Sequence, residues 1–186
     1  MSHTRNPWRI LRSRSQYQNA WIGVTEDRVL NAAGQPGIYG TVHFKNLAIG
    51  IVPLDAQGYT YLVGQYRYPL RQYSWEIPAG GGSRKAAPVT TARRELLEET
   101  GLTARRFKRI LRLHLSNSVT DEVAYIFLAT GLKRGESNPE ASEVLHIKKV
   151  PFVKAHAMVK RGLITDAMSV AGILQVAELI SMGKKG

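Results

Sequence analysis

The chain has 186 residues, 44% apolar and 22% charged, with 26 Lys and Arg against 14 Asp and Glu, a formal net charge of +12 and no cysteine. That length suits one domain, or one domain with a small extension, and supports a substantial core. The missing cysteine excludes disulfides, a thiolate nucleophile and cysteine-bound zinc; the charge suits a nucleic acid, an acidic membrane surface or a polyphosphate-bearing small molecule, and equally a plain solvated basic surface.

The first 25 residues carry Arg5, Arg9, Arg12 and Arg14 with no acid before Glu26. Such a composition can mimic a transit peptide. "NAWIGVTEDRVL" follows at once with strand-like alternation, so the region is expected to be folded. Residues 8–45 predict short strands broken by turns, with "AAGQPG" as one turn and "IYGTVHF" resuming the alternation. "LAIGIVPL" and "TYLVGQYRYPL" flank "DAQGY" as a hairpin-like pair, and "WEIP" leads into the glycine cluster at 80–82. Pro88 can open a helix and Gly101 can close it, so Pro88–Thr100 is expected to be one helix. "FKRILRLHL" and "EVAYIFLATGL" predict two further strands, and "GESNPEASE" an acidic loop. The tail carries apolar spacing for two helices, one near Phe152–Lys160 and one over "DAMSVAGILQVAELISM". The expected fold is therefore α/β, a mixed sheet between helices. A boundary near residues 44–47 would separate an N-terminal β extension, 1–45, from a main domain, 46–186. No apolar run approaches the roughly 20 residues of a membrane helix. No membrane association and a cytoplasmic location are expected.

The helix has an unusual charge pattern for a basic chain. Glu95, Glu98 and Glu99 have i, i+3 and i+4 spacing, which places them on one face. Like charges so placed repel, and they crowd the C-terminal half, where the helix dipole disfavours anions. A divalent cation would relieve both penalties, since Mg²⁺ takes carboxylate and phosphate oxygens. A solvated acidic face is the alternative.

The run "GGGSRKAAPVTTARRELLEETGL" resembles the Nudix box, Gly-x5-Glu-x7-Arg-Glu-U-x-Glu-Glu-x-Gly-U, where U is a bulky aliphatic residue. Gly80, Arg94, Glu95, Leu96, Glu98, Glu99, Gly101 and Leu102 match without a gap. One element departs: Ala86 stands where the pattern has its first glutamate. "QYRYPL", "SWEIPAGG", "LSNSVTDE" and "GLITDAMSV" resemble the branch that hydrolyses ADP-ribose and nucleoside diphosphate sugars. The resemblance implies a Nudix-type α/β/α sandwich with an N-terminal strand extension. It implies a Mg²⁺-dependent hydrolase, with Mn²⁺ as a substitute, that splits a pyrophosphate into a nucleoside monophosphate and a sugar phosphate.

The same resemblance implies the site. Glu95, Glu98, Glu99 and the backbone carbonyl of Ala79 are implied metal ligands. Arg94, Glu98, Glu140 and Glu143 form the implied catalytic set. Arg94 orients the glutamates, and Glu140 or Glu143, with Glu136 behind them, supplies a general base from an acidic loop. Arg67 is the implied contact to substrate phosphate, a task that suits a planar guanidinium. Glu76 precedes the Pro-Ala-Gly turn, and substrate contact, support for the metal site and a structural role are all open for it. Among the N-terminal aromatics Trp8, Tyr17, Trp21 and Tyr39, Trp21 is the candidate to stack on a base, and filling a core or an interface is the alternative for all four. Asp121 and Glu122 are open in role, and His114 and His146 read as ordinary strand or loop residues. The expected partners are a small nucleotide sugar and a second copy in a homodimer, and not nucleic acid.

Asn117 stands in "LSNSV" near the position where ADP-ribose-specific relatives carry a proline, which leaves other nucleoside diphosphate sugars, such as GDP-mannose, open; Ala86 bears instead on how one metal ion is held, and Arg84 and Lys85 could grip extra phosphate. Two alternatives stand: a non-catalytic nucleotide- or RNA-binding module, suggested by Ala86 and the charge, and a hydrolase of nucleoside triphosphates or dinucleoside polyphosphates.

Overall fold

The computed structural model describes residues 6–135 and 145–183. The chain runs β1 (Arg9–Gln18), β2 (Ile22–Leu30), β3 (Pro36–Phe44), β4 (Asn46–Leu54), β5 (Tyr59–Arg67), a 3-10 turn (Tyr68–Leu70), β6 (Gln72–Glu76), β7 (Ala79–Ser83), α1 (Pro88–Thr100), β8 (Leu102–His114), β9 (Val123–Arg134), β10 (His146–Pro151), α2 (Phe152–Lys160) and α3 (Ala167–Gly183). It divides into two compact units. The first runs to Asn46 and takes in His114–Glu122; the second holds Leu47–Leu113 and Val123–Gly186.

The first unit is a three-stranded antiparallel sheet in the order β1-β2-β3. Its strands have 10, 9 and 9 residues, so the short strands expected from sequence are in fact long. The reason lies in the pairing. β2 and β3 pair without interruption from Ile22↔Phe44 to Leu30↔Pro36. β1 absorbs its irregular pattern in register shifts at Ile10/Arg12 and Ser15/Tyr17, where bulges bend a strand without ending it. The segment 114–122 is fastened to β3. The Val42 N–H donates to Val119 O at 2.8 Å, the Tyr39 hydroxyl to Ser118 O at 2.6 Å and the Phe44 N–H to Asp121 Oδ1 at 2.9 Å. His43 joins Asp121 Oδ2 at 2.8 Å and Thr25 Oγ1 at 2.9 Å.

The second unit holds a mixed sheet in the order β10-β5-β4-β9-β8, with β6 on β5 and β7 on β4. β4 and β9 are parallel, while β5 pairs antiparallel with β4, β6 and β10. Alternation sends successive side chains to opposite faces. Ile49, Ile51, Phe127 and Ala129 therefore pack with Ala92 and Leu96 of α1. Val52 and Ile126 pack with Phe152 and Ala155 of α2 and with Ile173 and Val176 of α3. Helices cover both faces of the sheet, as the sequence predicts. α1 starts at Pro88 and ends where Gly101, at φ 66°, donates its N–H to Leu97 O at 2.8 Å. A left-handed residue after the last turn suits glycine, which has no Cβ penalty there.

Candidate active site

The candidate site grows from a strand break. β6 ends at Glu76 and β7 begins at Ala79. The groups between them find partners on three other elements. The Ile77 N–H donates to Ser169 Oγ at 2.9 Å, Ile51 N–H donates to Pro78 O at 2.8 Å, and the Ala79 N–H donates to Glu99 Oε2 at 2.9 Å. Buried backbone groups require such partners. The break is thus held by β4, α1 and α3.

α1 lies against β7 with Glu95 and Glu99 turned inward, only 8% and 7% exposed. The glycines of β7 make this approach possible. A Cβ at Gly80 would overlap the Glu95 carboxyl, and one at Gly82 would stand 2.5 Å from Thr91 Oγ1. Glu98 is more open. Arg94 stands between the carboxylates: Nη1 donates to Glu98 Oε2 at 2.5 Å, and Nη2 donates to Glu95 Oε1 and to Gly81 O, the latter at 3.1 Å. Burial opposes the Arg94 charge, but the Coulomb attraction and hydrogen bonds of Glu95 and Glu98 outweigh it and raise its pKa. Gly80→Ala is expected to push the Glu95 carboxyl out of place. Activity should fall at least about tenfold, with a stability loss of about 1–3 kcal/mol from overpacking. Steady-state kinetics and thermal melting check this; an unchanged kcat with a lowered Tm would show that Glu95 placement does not limit turnover.

Arg67 and Glu76 form a fork. Arg67 Nε donates to Glu76 Oε1 at 2.9 Å and Nη2 to Oε2 at 2.5 Å. The bidentate pair raises the Arg67 pKa against the opposing effect of burial, with further attraction from Asp166 and Glu99. For Glu76, burial would raise the pKa. The hydrogen bond and charge of Arg67, with a hydrogen bond from Ser74, reverse the direction and hold the carboxyl below 4.5. A depressed carboxyl contributes stability above its unfolded pKa and loses it as pH falls through the folded value. Wild type should therefore melt higher than Glu76→Gln at pH 7, by an amount equivalent to about 1 kcal/mol. The gap should narrow as pH falls through and below the ordinary carboxylate range and Glu76 takes its proton. Melting curves from pH 3 to 8 check this; a gap that persists in acid would show that the carboxylate charge is not its source.

Pro69, Leu70, Ser74, Thr165 and Asp166 join this pair around a cavity of about 240 Å³. A larger cavity of about 590 Å³, beside Leu54, Phe152, Val153 and Ile180, contains none of the α1 carboxylates.

The other residues singled out from sequence are placed as follows. Trp21 lies in the first unit and is 69% exposed, at the turn before β2. Tyr17 is also exposed, while Trp8 and Tyr39 meet edge to face at 5.5 Å. His146 meets the Tyr73 hydroxyl at 2.8 Å. Glu136, Glu140 and Glu143 lie outside the described residues. Sequence reading missed the Arg67–Glu76 pair and the part played by Ser169. Neither has a local signal: nine residues separate the first pair and 92 separate Ser169 from Ile77.

Glu95, Glu98, Glu99 and the Ala79 carbonyl offer hard oxygen donors, the type that Mg²⁺ and Mn²⁺ take. Two of these carboxylates are buried one turn apart beside a glycine cradle, so the donor chemistry fits. Among the described residues no three His, Asp or Glu side chains already converge as a metal cage.

Residues 44–167 match the NUDIX domain family, and residues 8–42 match the nucleoside diphosphate sugar hydrolase N-terminal domain. The chain is 35% identical over 133 residues to an ADP-ribose pyrophosphatase of Mycobacterium tuberculosis (strain ATCC 25618 / H37Rv), covering 69% of this chain and 64% of that protein. It is 32% identical over 141 residues to an ADP-ribose pyrophosphatase of Bacillus subtilis (strain 168), covering 74% and 76%. A crystal structure of an ADP compounds hydrolase superposes with a TM-score of 0.86 over 98% of both chains at 19% identity, a likeness of fold.

Proposed function

Because the chain belongs to the Nudix family, we propose that it is a divalent-metal-dependent hydrolase of nucleoside diphosphate sugars of the ADP-ribose and GDP-mannose type, releasing a nucleoside monophosphate and a sugar phosphate. The observation that carries this reading is the pair of buried carboxylates, Glu95 and Glu99, set against the glycine strand that follows Glu76. The match of residues 8–42 to the N-terminal domain of nucleoside diphosphate sugar hydrolases supports the substrate class, as do the two ADP-ribose pyrophosphatases.

In this reading Glu95, Glu99, the Ala79 carbonyl and Glu98 hold Mg²⁺ or Mn²⁺. Such a cation, when bound, would supply neutralisation of pyrophosphate charge and a more acidic bound water. The protein's own groups do the rest. Arg94 bridges Glu95 and Glu98 and fixes their orientation, through the ion pairs described above. Glu99, gripped by the Ala79 N–H, stays in register with β7. Arg67, preorganised by Glu76, presents its remaining face to a phosphate oxygen. A carboxylate at 140 or 143 takes the proton from the attacking water, a role proposed from sequence alone. Ala86 leaves the outer edge of the site one carboxylate short of the usual box, and Arg84 and Lys85 bring positive charge to the same loop.

A homodimer is part of the proposal. In the first unit Val29 is the one apolar residue of the buried core among the described residues, whereas Ile10, Leu11, Tyr17, Trp21 and Ile38 are exposed. Exposed apolar area on that scale suits a partner surface. Sedimentation velocity at micromolar protein tests it.

The activity is tested with a panel of nucleoside diphosphate sugars, nucleoside triphosphates and dinucleoside polyphosphates in Mg²⁺ or Mn²⁺. Alkaline phosphatase releases phosphate from both monoester products but not from an intact nucleoside diphosphate sugar; the triphosphates, which it attacks directly, are followed without it by chromatography of the products. Turnover confined to the sugars supports the proposal. Turnover confined to triphosphates, or salt-sensitive RNA binding without turnover, would replace it.

A further inference from the structure

One feature at the start of α3 reaches the strand break of the candidate site. Asp166 precedes the helix and caps it: the Ser169 N–H donates to Asp166 Oδ2 at 2.8 Å. The Ser169 hydroxyl donates to the same oxygen at 2.7 Å. That direction leaves the hydroxyl's lone pairs free to accept, and the Ile77 N–H donates to them at 2.9 Å. Ser169 is wholly buried. An ordinary helix cap uses the aspartate and the backbone N–H alone. Here the third residue of the helix passes the cap on, across 92 residues of sequence, to the strand break between Glu76 and Ala79.

The register of the break is set by hydrogen bonds from other elements. Pro78 donates no backbone hydrogen bond. Ile77 lies between β6 and β7, outside both strands. Its amide is therefore positioned from α3, its neighbour's carbonyl from β4, and the Ala79 amide from Glu99. Asp166 also lines the cavity beside Arg67 and Glu76.

We propose that Ser169 and Asp166 are positioning residues for the hydrolytic site, a relay by which α3 sets the place of the Ala79 carbonyl and Glu99 through the Ile77 amide. This rests on the hydrolase reading for its effect on turnover, but not for its effect on the strand break.

The test compares wild type with Ser169→Ala, Asp166→Ala and the double variant, by three measurements. Amide hydrogen exchange should quicken at both Ile77 and Ala79. The affinity for Mn²⁺ alone, followed by water proton relaxation without substrate, should fall about tenfold, the size of effect expected when a buried hydrogen bond is lost. With ADP-ribose at saturating Mn²⁺, kcat should fall while KM changes less. The double variant should be no worse than the poorer single one, because the two residues act as one unit. If either single variant fails to fold, the other carries the test, and protection of the Ile77 and Ala79 amides in wild type is compared with that of the surviving variant. A lowered Tm with unchanged Ala79 exchange and Mn²⁺ affinity would overturn the relay and leave a helix cap. Wild type that neither binds Mn²⁺ nor hydrolyses any nucleotide would overturn the hydrolase reading instead; the exchange rate at Ala79 would still decide the relay.

Discussion

Glu99→Gln is expected to leave the protein folded and to lower turnover about a thousandfold. Glu99 is buried on the inner face of α1, and its Oε2 accepts the Ala79 N–H. Glutamine has nearly the same shape and keeps an oxygen for that hydrogen bond. What it lacks is the charge that would hold a divalent cation. A bound metal supplies several kcal/mol of charge stabilisation in the transition state, and about 4 kcal/mol corresponds to a factor of about 10³ in rate. The phosphatase-coupled assay gives kcat, a Mn²⁺ titration gives the metal affinity, and melting shows that the fold survives. Near-normal turnover and metal affinity in a folded variant would remove Glu99 from the ligand set. Glu98→Gln is the useful contrast. Glu98 is more open and paired with Arg94, so a smaller loss is expected.

Arg67→Ala is expected to lower kcat/KM about 30- to 150-fold for ADP-ribose and GDP-mannose alike, the effect of losing a charged contact of about 2–3 kcal/mol. Loss shared by both substrates follows if the guanidinium meets phosphate; loss for one base alone would mean that Arg67 reads the nucleoside. The Arg67–Glu76 fork adds a second consequence. Removing the arginine leaves the Glu76 carboxylate buried without its bidentate partner. Stripping one member from a fully buried pair costs about 3–5 kcal/mol. The Arg67 side chain is 39% exposed, so solvent screening reduces the expected loss to about 1–2 kcal/mol. Adding Glu76→Gln to Arg67→Ala separates the two effects. It removes the stranded charge and should restore much of the Tm. If Arg67 acts on substrate, activity stays low in the double variant. Activity that returns with the Tm would show that Arg67 serves Glu76 alone.

The sequence by itself determined what neighbouring residues decide. Pro88, Gly101 and the spacing of Glu95, Glu98 and Glu99 lie within a few turns of one another, so α1, its ends and the shared face of its acids were legible from local geometry. The same holds for α2 and for the β4–β5 hairpin around "DAQGY". Register and long-range hydrogen bonds were not legible, because they depend on where distant segments meet and not on what either segment prefers alone. The turn at "AAGQPG" stands in the structure between β2 and β3, but the bulges that let β1 run from Arg9 to Gln18 depend on its pairing with β2. "LSNSVTDE" reads as the link between two strands; backbone hydrogen bonds to Val42 and the Asp121 contacts make it part of the N-terminal sheet. Arg67 is a phosphate contact by resemblance alone, and only the packing of β5 against β6 supplies Glu76 as its partner. Ser169 has no chemical signal at all in an apolar helix. It acquires one because α3 packs over the strand break, where an unpartnered Ile77 N–H buried from water must find an acceptor.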